Sequence, residues 1–238
     1  IMMPLMDGLE LCRRVRALPN LPDLRIIILS AKTYEFDRKR ARELGADGYM
    51  TKPVILKTFI EDLEGLIGKK LTATFWSVRG TLPLPGEKAL RYGGNTACVT
   101  VACSNAPLMI FDAGTGIKEL SNQLTKSAER ITAKIFISHP HWDHINAIPF
   151  FVPLYVAGNE FEILGARHGD ISMRELMSAQ MDGIYFPITI REFAARVFFR
   201  DIGEETVHFD NVTVKSMLLS HPGNCLGYRV DFHGKSIC

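Results

Sequence analysis

Six consecutive residues contain the side chains of this sequence that are best suited to bind a metal ion. Three imidazoles and one carboxylate follow the apolar run 134–138, which is typical of a buried strand: His139, His141, Asp143 and His144. A loop that leaves a strand can aim such side chains at one point, with His139 and His141 facing one ion. Asp143 and His144 would then face a second ion. Imidazole nitrogen and carboxylate oxygen suit zinc, with manganese or iron(II) as alternatives. We therefore predict a metal site rather than a solvated, histidine-rich turn.

The spacing H-x-H-x-D-H is the hallmark of the metallo-β-lactamase superfamily, and the sequence resembles that family from about residue 72 to 238. The segment 111–116 resembles the aspartate- and glycine-containing loop of the family. This resemblance implies that Asp112 accepts a hydrogen bond from a ligating histidine and orients it. It also implies a third histidine ligand at the end of a later strand, and His221 fits that position.

The family pattern includes two further ligands, a bridging aspartate and a last histidine, downstream of the strand predicted at 226–232. The sequence ends before both positions, so we expect this segment to be truncated at its C-terminus. A site formed by His139, His141 and His221 would hold one metal. The second site would be weak, because only Asp143 and His144 remain to form it. In the intact protein the resemblance implies two zinc ions.

Segments 77–81 and 91–96 resemble the branch of the superfamily that includes tRNase Z-like and cyclic-phosphodiester-cleaving enzymes. This branch implies a metal-dependent hydrolase of the phosphodiesterase type, acting on a small molecule or another phosphodiester. Metal ions in such a site acidify a water molecule and stabilise charge on phosphoryl oxygens. Asp143 can both ligate metal and take a proton, and is therefore the predicted catalytic residue. The sequence departs from the branch at Asn146 and Ala147, where a glycine is usual.

The first 69 residues carry a second resemblance, to response-regulator receiver domains. Ser30 ends a short apolar run and matches the hydroxyl residue that follows the phosphoryl group in that family. Tyr49 matches the switch aromatic, and Lys52, before a proline, matches the lysine that pairs with the acyl phosphate. These three residues are the predicted receiver switch.

The segment 2–8 resembles the receiver loop that follows the phosphoacceptor aspartate. In that pattern the aspartate would sit immediately before Ile1, with the magnesium-binding acids further upstream. We therefore expect only the C-terminal part of a receiver domain here. The resemblance implies magnesium as the cofactor of the intact receiver and a sensor histidine kinase as its partner.

Hydrophobic periodicity predicts an α/β fold class. Helices are predicted at 9–18, 36–44, 55–67 and 117–124, and strands at 25–29, 48–50, 72–78, 97–102, 108–111, 134–138, 160–164, 207–209, 212–219 and 226–232. The two resemblances imply that residues 1–69 form the C-terminal half of a doubly wound, flavodoxin-like receiver. They also imply that residues 70–238 form a partial αββα metallo-β-lactamase sandwich.

Composition limits the class of protein. A net charge of +2 gives no indication of nucleic-acid or membrane binding. Five dispersed cysteines without CxxC spacing favour a reducing compartment, and no apolar run is long enough for a membrane helix, so a cytoplasmic protein is expected. A homodimer is an open alternative to a monomer. His168, His208 and His233 are predicted to be surface or turn residues.

Three functions stay open at this point. The favoured one is a metal-dependent hydrolase regulated by a phosphorylated receiver in a two-component system. The second is a metal-binding sensor or output module without turnover, and the third is a di-iron oxidoreductase of the same fold. The first is favoured because five side chains are of metal-ligand type, whereas the third is usually accompanied by a flavin-binding domain whose pattern is not seen here.

Overall fold

The computed structural model describes residues 7–18, 24–55, 59, 70–89, 91–127 and 129–238. The chain divides into two compact units, Ile1–Lys70 and Leu71–Cys238. Most of the loop 2–8 and of the helix predicted at 55–67 lie outside the described residues. Among the residues that are described, no helix combines the length and the apolar character needed to cross a membrane.

The first unit alternates helices and strands, as its sequence predicts. Its elements are α1 (Gly8–Arg16), β1 (Ile27–Ser30), α2 (Glu35–Glu43) and β2 (Gly48–Thr51). The two strands pair in parallel, which requires the intervening helix to cross over the sheet. Helix α1 begins after Asp7, whose carboxylate accepts the backbone N–H groups of Leu9 and Glu10 and so caps the helix.

The second unit contains two β-sheets. The strands of the six-stranded sheet are β3 (Leu71–Ser77), β4 (Cys98–Cys103), β5 (Leu108–Phe111), β6 (Thr132–Ile137), β7 (Glu160–Gly165) and β8 (Arg196–Asp201), in that spatial order. The strands of the other sheet are β9 (Thr206–Phe209), β10 (Val212–Leu218), β11 (Leu226–Phe232) and β12 (Lys235–Ile237), in the order β12-β11-β10-β9. Strands β3–β5 are antiparallel, β5–β8 are parallel, and the four-stranded sheet is antiparallel throughout.

Among the described residues of this unit, three α-helices and four short 3-10 helices connect the strands. The α-helices are α3 (Ile117–Leu124), α4 (Trp142–Ile145) and α5 (Met173–Gln180). The 3-10 helices are Glu87–Ala89, Ile148–Phe150, Val152–Tyr155 and Ile190–Glu192. Helix α5 begins with a capping box, in which Ser172 and Glu175 each accept a backbone N–H group of the other residue.

The six-stranded sheet is covered on both faces, as strand β6 illustrates. Ile135 and Ile137 lie in a buried cluster with the inner faces of α3 and α5. Phe136, between them, points to the opposite face and joins a second cluster with Val214 and Val230 of the four-stranded sheet. Alternate residues of this strand therefore pack against helices on one face of the sheet and against the four-stranded sheet on the other face. The predicted mixed α/β class is confirmed.

Strand β8 is the main element that the sequence patterns do not predict. It is an edge strand with charged residues at both ends, and Phe198 is 48% exposed. Only Val197 and Phe199 pack against the helix-side core. The alternation of these two residues with Arg196 and Arg200 is the signal that identifies the strand.

Candidate metal centre

The candidate site lies where neighbouring parallel strands end. Asp112 follows β5, and His139 and His141 follow the adjacent strand β6. Because both strands run in the same direction, their carboxyl ends meet at one edge of the sheet. His221 comes from the turn between β10 and β11 of the other sheet, more than 80 residues further along the chain.

Three histidines converge at this edge. Each of His139, His141 and His221 offers one ligand atom, and these atoms lie within 4.8 Å of one another. His139 Nε2 lies 2.9 Å from His141 Nδ1. The ring centroid of His221 lies 4.4 Å from that of His139 and 5.1 Å from that of His141. His139 is buried, whereas His141 and His221 are exposed.

This donor set fits a divalent cation. Nitrogen ligands of a tetrahedral zinc ion, each about 2.0–2.1 Å from the metal, lie roughly 3.4 Å apart. His139 Nε2 and His141 Nδ1 lie 2.9 Å apart and all three ligand atoms lie within 4.8 Å of one another, a range that includes this spacing. Because His141 and His221 are exposed and His139 is buried, one side of the site is open to solvent. A site that admits a substrate needs such an opening.

The second sheet contacts the histidine loop directly. Leu226, at the start of β11, donates its backbone N–H to Ser138 O at 2.8 Å. Tyr228 donates its hydroxyl to Ile137 O at 2.7 Å. The turn that carries His221 is closed by a bond of 2.8 Å from Leu219 N–H to Cys225 O. Strand β11 therefore fixes where this turn meets the end of β6.

Asp112 connects β5 to the histidine loop. Its backbone is left-handed, with φ of 60°, and its Oδ1 accepts the backbone N–H of Ser138 at 2.8 Å. Its Oδ2 accepts the Ser138 hydroxyl at 2.9 Å and lies 2.7 Å from His144 Nδ1. The predicted role of Asp112, orienting a histidine, corresponds to this contact with His144.

Asp143 and His144 form a second pair beside the three histidines, with Asp143 Oδ2 3.4 Å from His144 Nε2. The same carboxylate oxygen accepts the backbone N–H of Thr81 at 2.8 Å. Thr81 adopts a φ of 71°, which is rare for a β-branched residue and marks a constrained turn. The loop after β3 thus reaches the candidate site through its backbone.

Gly114 allows two segments to approach each other closely. A Cβ at this position would lie 2.2 Å from Asp143 O and 2.3 Å from Thr96 Oγ1. Thr96 and Thr115 stabilise the loop that contains Gly114, because each donates its backbone N–H to the other's hydroxyl at 2.8 Å. Only glycine leaves room for Asp143 here.

The two best-buried imidazoles have pKa values that shift in opposite directions. Burial, together with the neighbouring imidazoles of His144, His141 and His221, lowers the pKa of His139 to about 4. Burial also disfavours the charged form of His144, but the hydrogen bond and charge of Asp112 outweigh it and raise its pKa. His139 is therefore neutral at physiological pH, as a metal ligand must be.

Asp143 is ionised at neutral pH. Burial raises the pKa of this carboxyl group, but the Thr81 N–H and the neighbouring His144 outweigh that effect, and the net shift is downward. An ionised carboxylate is the form that both ligates a cation and accepts a proton.

Three residues at the site were not identified from sequence. Ser138 bridges Asp112 and His139, and its position directly before the histidine cluster is the only signal that points to it. Thr81 acts through its backbone, which no side-chain pattern reveals. Cys225 is buried, with Sγ 3.7 Å from His139 Nδ1.

The remaining histidines are not among the three whose ligand atoms converge, although the ring of His168 lies close to Gly223 in the turn that carries His221. His208 is exposed and contacts Thr213 Oγ1 at 3.1 Å. His168, predicted to be a surface or turn residue, is partly exposed and lies at a turn where its N–H donates to Ile171 O at 3.0 Å; its Nε2 is buried without a hydrogen-bond partner among the described residues. His233 packs its ring against Phe232 in the turn before β12.

The predicted receiver switch residues lie at one end of the two-stranded sheet of the first unit. Ser30 is buried, and its hydroxyl accepts the Lys32 N–H at 3.1 Å. The Tyr49 hydroxyl donates to Lys32 O at 3.1 Å. Lys52 donates its backbone N–H to Ser30 O at 2.7 Å. The three residues therefore share one short network.

Comparison with known proteins supports a receiver segment at the N-terminus. Residues 1–64 match the family described as response regulator receiver domain. A transcriptional regulatory protein of Bacillus subtilis, YclJ, described as uncharacterized, is 40% identical over 67 residues, which is 28% of this chain and 28% of that protein. The chain thus spans little more than a quarter of this relative.

Solved structures that are similar to the chain include a metallo-β-lactamase-fold protein, a yeast protein and a diiron enzyme, all at low sequence identity. The metallo-β-lactamase-fold protein YhfI of Bacillus subtilis is 14% identical, with a TM-score of 0.49, over 70% of this chain and 60% of that one. Unliganded yeast PDE1 is 14% identical, with a TM-score of 0.44, over 68% of this chain and 61% of that one. CmlA of Streptomyces venezuelae, a diiron β-hydroxylase, is 17% identical, with a TM-score of 0.37, over 59% of this chain and 27% of that one. The chain thus joins a segment that matches the receiver domain family, at residues 1–64, to a mixed α/β unit that contains the three converging histidines.

Proposed function

We propose that the second unit is a metal-dependent hydrolase whose first metal ion, of the zinc type, is held by His139, His141 and His221. The observation that carries the proposal is the convergence of these imidazoles, whose ligand atoms lie within 4.8 Å of one another. Two of them come from one loop, but His221 comes from the other sheet. Burial and the neighbouring imidazoles disfavour protonation of His139, and the neutral imidazole is the form that binds a cation.

Asp143 and His144 are the proposed residues of a second metal position. His144 Nδ1 faces Asp112, so its Nε2 faces Asp143. A bound zinc ion would supply Lewis acidity toward an ester oxygen and would lower the pKa of a water molecule. Asp143, which is ionised and held by the Thr81 N–H, is the proposed proton acceptor of the site.

A phosphodiester is the proposed substrate class. The support is the resemblance of segments 77–81 and 91–96 to the phosphodiester-cleaving branch of the superfamily. Two of these residues lie close to the site. Thr81 donates its N–H to Asp143, and the side-chain oxygen of Asn95 accepts the Thr115 hydroxyl at 3.1 Å in the loop beside Gly114.

Hydrolysis of bis-(p-nitrophenyl) phosphate by zinc-loaded protein tests this function. We expect turnover that a chelator abolishes and that Asp143→Asn lowers by about 100-fold or more, the size typical of a lost acid–base group. Asp210→Asn, at an exposed turn between β9 and β10, is the matched control and should keep full activity. Metal binding without turnover would favour a sensor module, and iron with redox activity would favour an oxidoreductase.

Phosphorylation of the receiver is the proposed regulator of this hydrolase, with a sensor histidine kinase as the donor. The support is the order of the two units and the match of residues 1–64 to the receiver family. The test is hydrolysis by a protein that carries a complete receiver domain, with and without beryllofluoride, a mimic of the phosphoryl group. Equal rates and equal KM values in both states would rule the regulation out.

A further inference from the structure

The hydroxyl of Ser138 lies between the two halves of the candidate metal centre. Its Oγ lies 2.9 Å from Asp112 Oδ2 and 3.0 Å from His139 Nδ1. His144 Nδ1 is further away, at 3.4 Å, and binds Asp112 Oδ2 at 2.7 Å instead. One serine therefore contacts a histidine of the three-imidazole group, and through Asp112 it also contacts the histidine of the second pair.

The direction of these hydrogen bonds follows from counting protons. A carboxylate only accepts, so the single hydroxyl proton of Ser138 is donated to Asp112. Oγ then has only lone pairs left, and the bond to His139 requires the imidazole to donate from Nδ1. By the same reasoning His144 donates from Nδ1 to Asp112.

Each direction selects a tautomer. With its proton on Nδ1, neutral His139 presents a lone pair at Nε2, the atom that lies 2.9 Å from His141 Nδ1. His144 likewise presents its lone pair at Nε2, 3.4 Å from Asp143 Oδ2. Both lone pairs face the positions where a cation would be held. The other neighbour of His139 Nδ1, Cys225 Sγ at 3.7 Å, is a weak and distant acceptor.

We propose that Ser138 is a positioning residue that sets the tautomer of His139 directly and supports that of His144 through Asp112, so that both metal positions form together. This inference rests on the proposed metal centre, and it assigns a role to a residue that binds no metal. It predicts that loss of one hydroxyl group weakens metal binding, although every ligand remains in place.

The experiment compares Ser138→Ala and Ser138→Thr with the unaltered chain. Ser121→Ala is the matched control, because Ser121 on helix α3 is a buried serine whose hydroxyl also makes a hydrogen bond, accepting the Val152 N–H at 3.2 Å. Zinc affinity is measured by competition with a chromophoric chelator. The tautomer of His139 is read from long-range ¹H–¹⁵N NMR spectra of the metal-free protein at a pH of about 8, above the ordinary imidazole pKa.

We expect Ser138→Ala to weaken zinc binding by about 10-fold or more, and Ser138→Thr and Ser121→Ala to stay within about 3-fold of the unaltered chain. The His139 spectrum should show protonated Nδ1 in the unaltered chain and in Ser138→Thr, and a mixture of tautomers in Ser138→Ala. Unchanged affinity and an unchanged spectrum in Ser138→Ala, or equal losses in Ser138→Thr, would overturn the role of the serine. Failure of the unaltered chain to bind zinc would contradict the proposed function instead, and the NMR spectra would still test the serine.

Discussion

The phenolic hydroxyl of Tyr228, on strand β11, donates a hydrogen bond of 2.7 Å to the backbone carbonyl oxygen of Ile137, the last residue of β6. This bond joins the two sheets two residues before His139. The Tyr228 ring also contacts Phe136 and Phe111 in the core between the sheets. Burial raises the pKa of this hydroxyl far above its usual range, so it stays a donor at any physiological pH.

Tyr228→Phe removes that bond and leaves Ile137 O without its side-chain donor. We expect the free energy of unfolding to fall by about 1–2 kcal/mol, the cost typical of a lost buried hydrogen bond. The measurement is urea denaturation of the chain. Tyr185→Phe, at a residue that is 78% exposed, should leave the denaturation midpoint unchanged. Equal midpoints for Tyr228→Phe and the unaltered chain would contradict the structural role of this bond.

Gly114→Ala tests the close approach of the Asp112 loop to Asp143. The new Cβ would lie 2.2 Å from Asp143 O, so the loop or the start of α4 must move. We expect a loss of roughly 2–4 kcal/mol in stability, as is typical of overpacking against backbone, together with weaker zinc binding. Gly183→Ala is the control, since no atom lies within 4 Å of its Cβ position. If both variants behave alike in thermal unfolding and zinc titration, the contact does not shape the site.

The stability of the metal-free protein should depend on pH through His139. Its pKa in the folded chain is about 4, below the ordinary imidazole value of 6.5, and burial is the largest cause. The unfolded chain therefore binds the proton first as pH falls, and stability declines between about pH 6.5 and 4. His144 acts in the opposite direction, because its pKa is raised: its contribution is present at low pH and is lost as pH rises through its folded pKa.

Denaturation of metal-free protein at pH values of about 7.5 and 5 measures the net effect. The unaltered chain should lose on the order of 1–3 kcal/mol more than His139→Gln over this interval, because only the former has a buried imidazole that resists protonation. His208→Gln, which replaces an exposed histidine, should follow the unaltered chain. The same pH dependence in the unaltered chain and in His139→Gln would show that His139 does not carry the effect.

Local pattern predicts most of the second unit. Short apolar runs indicate strands such as β6 and β11, and Gly114, two residues after Asp112, indicates a tight turn. Edge strand β8 is harder to recognise, because only Val197 and Phe199 are packed and charged residues surround them. Amphipathic edge strands carry a weak signal, since one face and one edge are solvated.

The spacing of the histidine cluster is distinctive in the sequence, whereas Asp112 and His221 are predicted as its partners through the resemblance to the metallo-β-lactamase superfamily. The contacts of Thr81 and Cys225 are not. Thr81 meets Asp143 across 62 residues of sequence and through a backbone N–H, and Cys225 lies near His139 across 86 residues. Such contacts depend on how loops pack in three dimensions, and they cannot be predicted from residue type alone.

Zinc binding by His221→Ala, compared with the unaltered chain, tests most directly whether the two sheets together form a metal centre. Equilibrium dialysis with metal analysis should give zinc bound by the unaltered chain and by the control His208→Ala. The zinc affinity of His221→Ala should be lower by about 100-fold or more, because only two of the three imidazole ligands would remain. Equally tight binding by His221→Ala and the unaltered chain would contradict the account, since the residue from the second sheet would then not be a ligand.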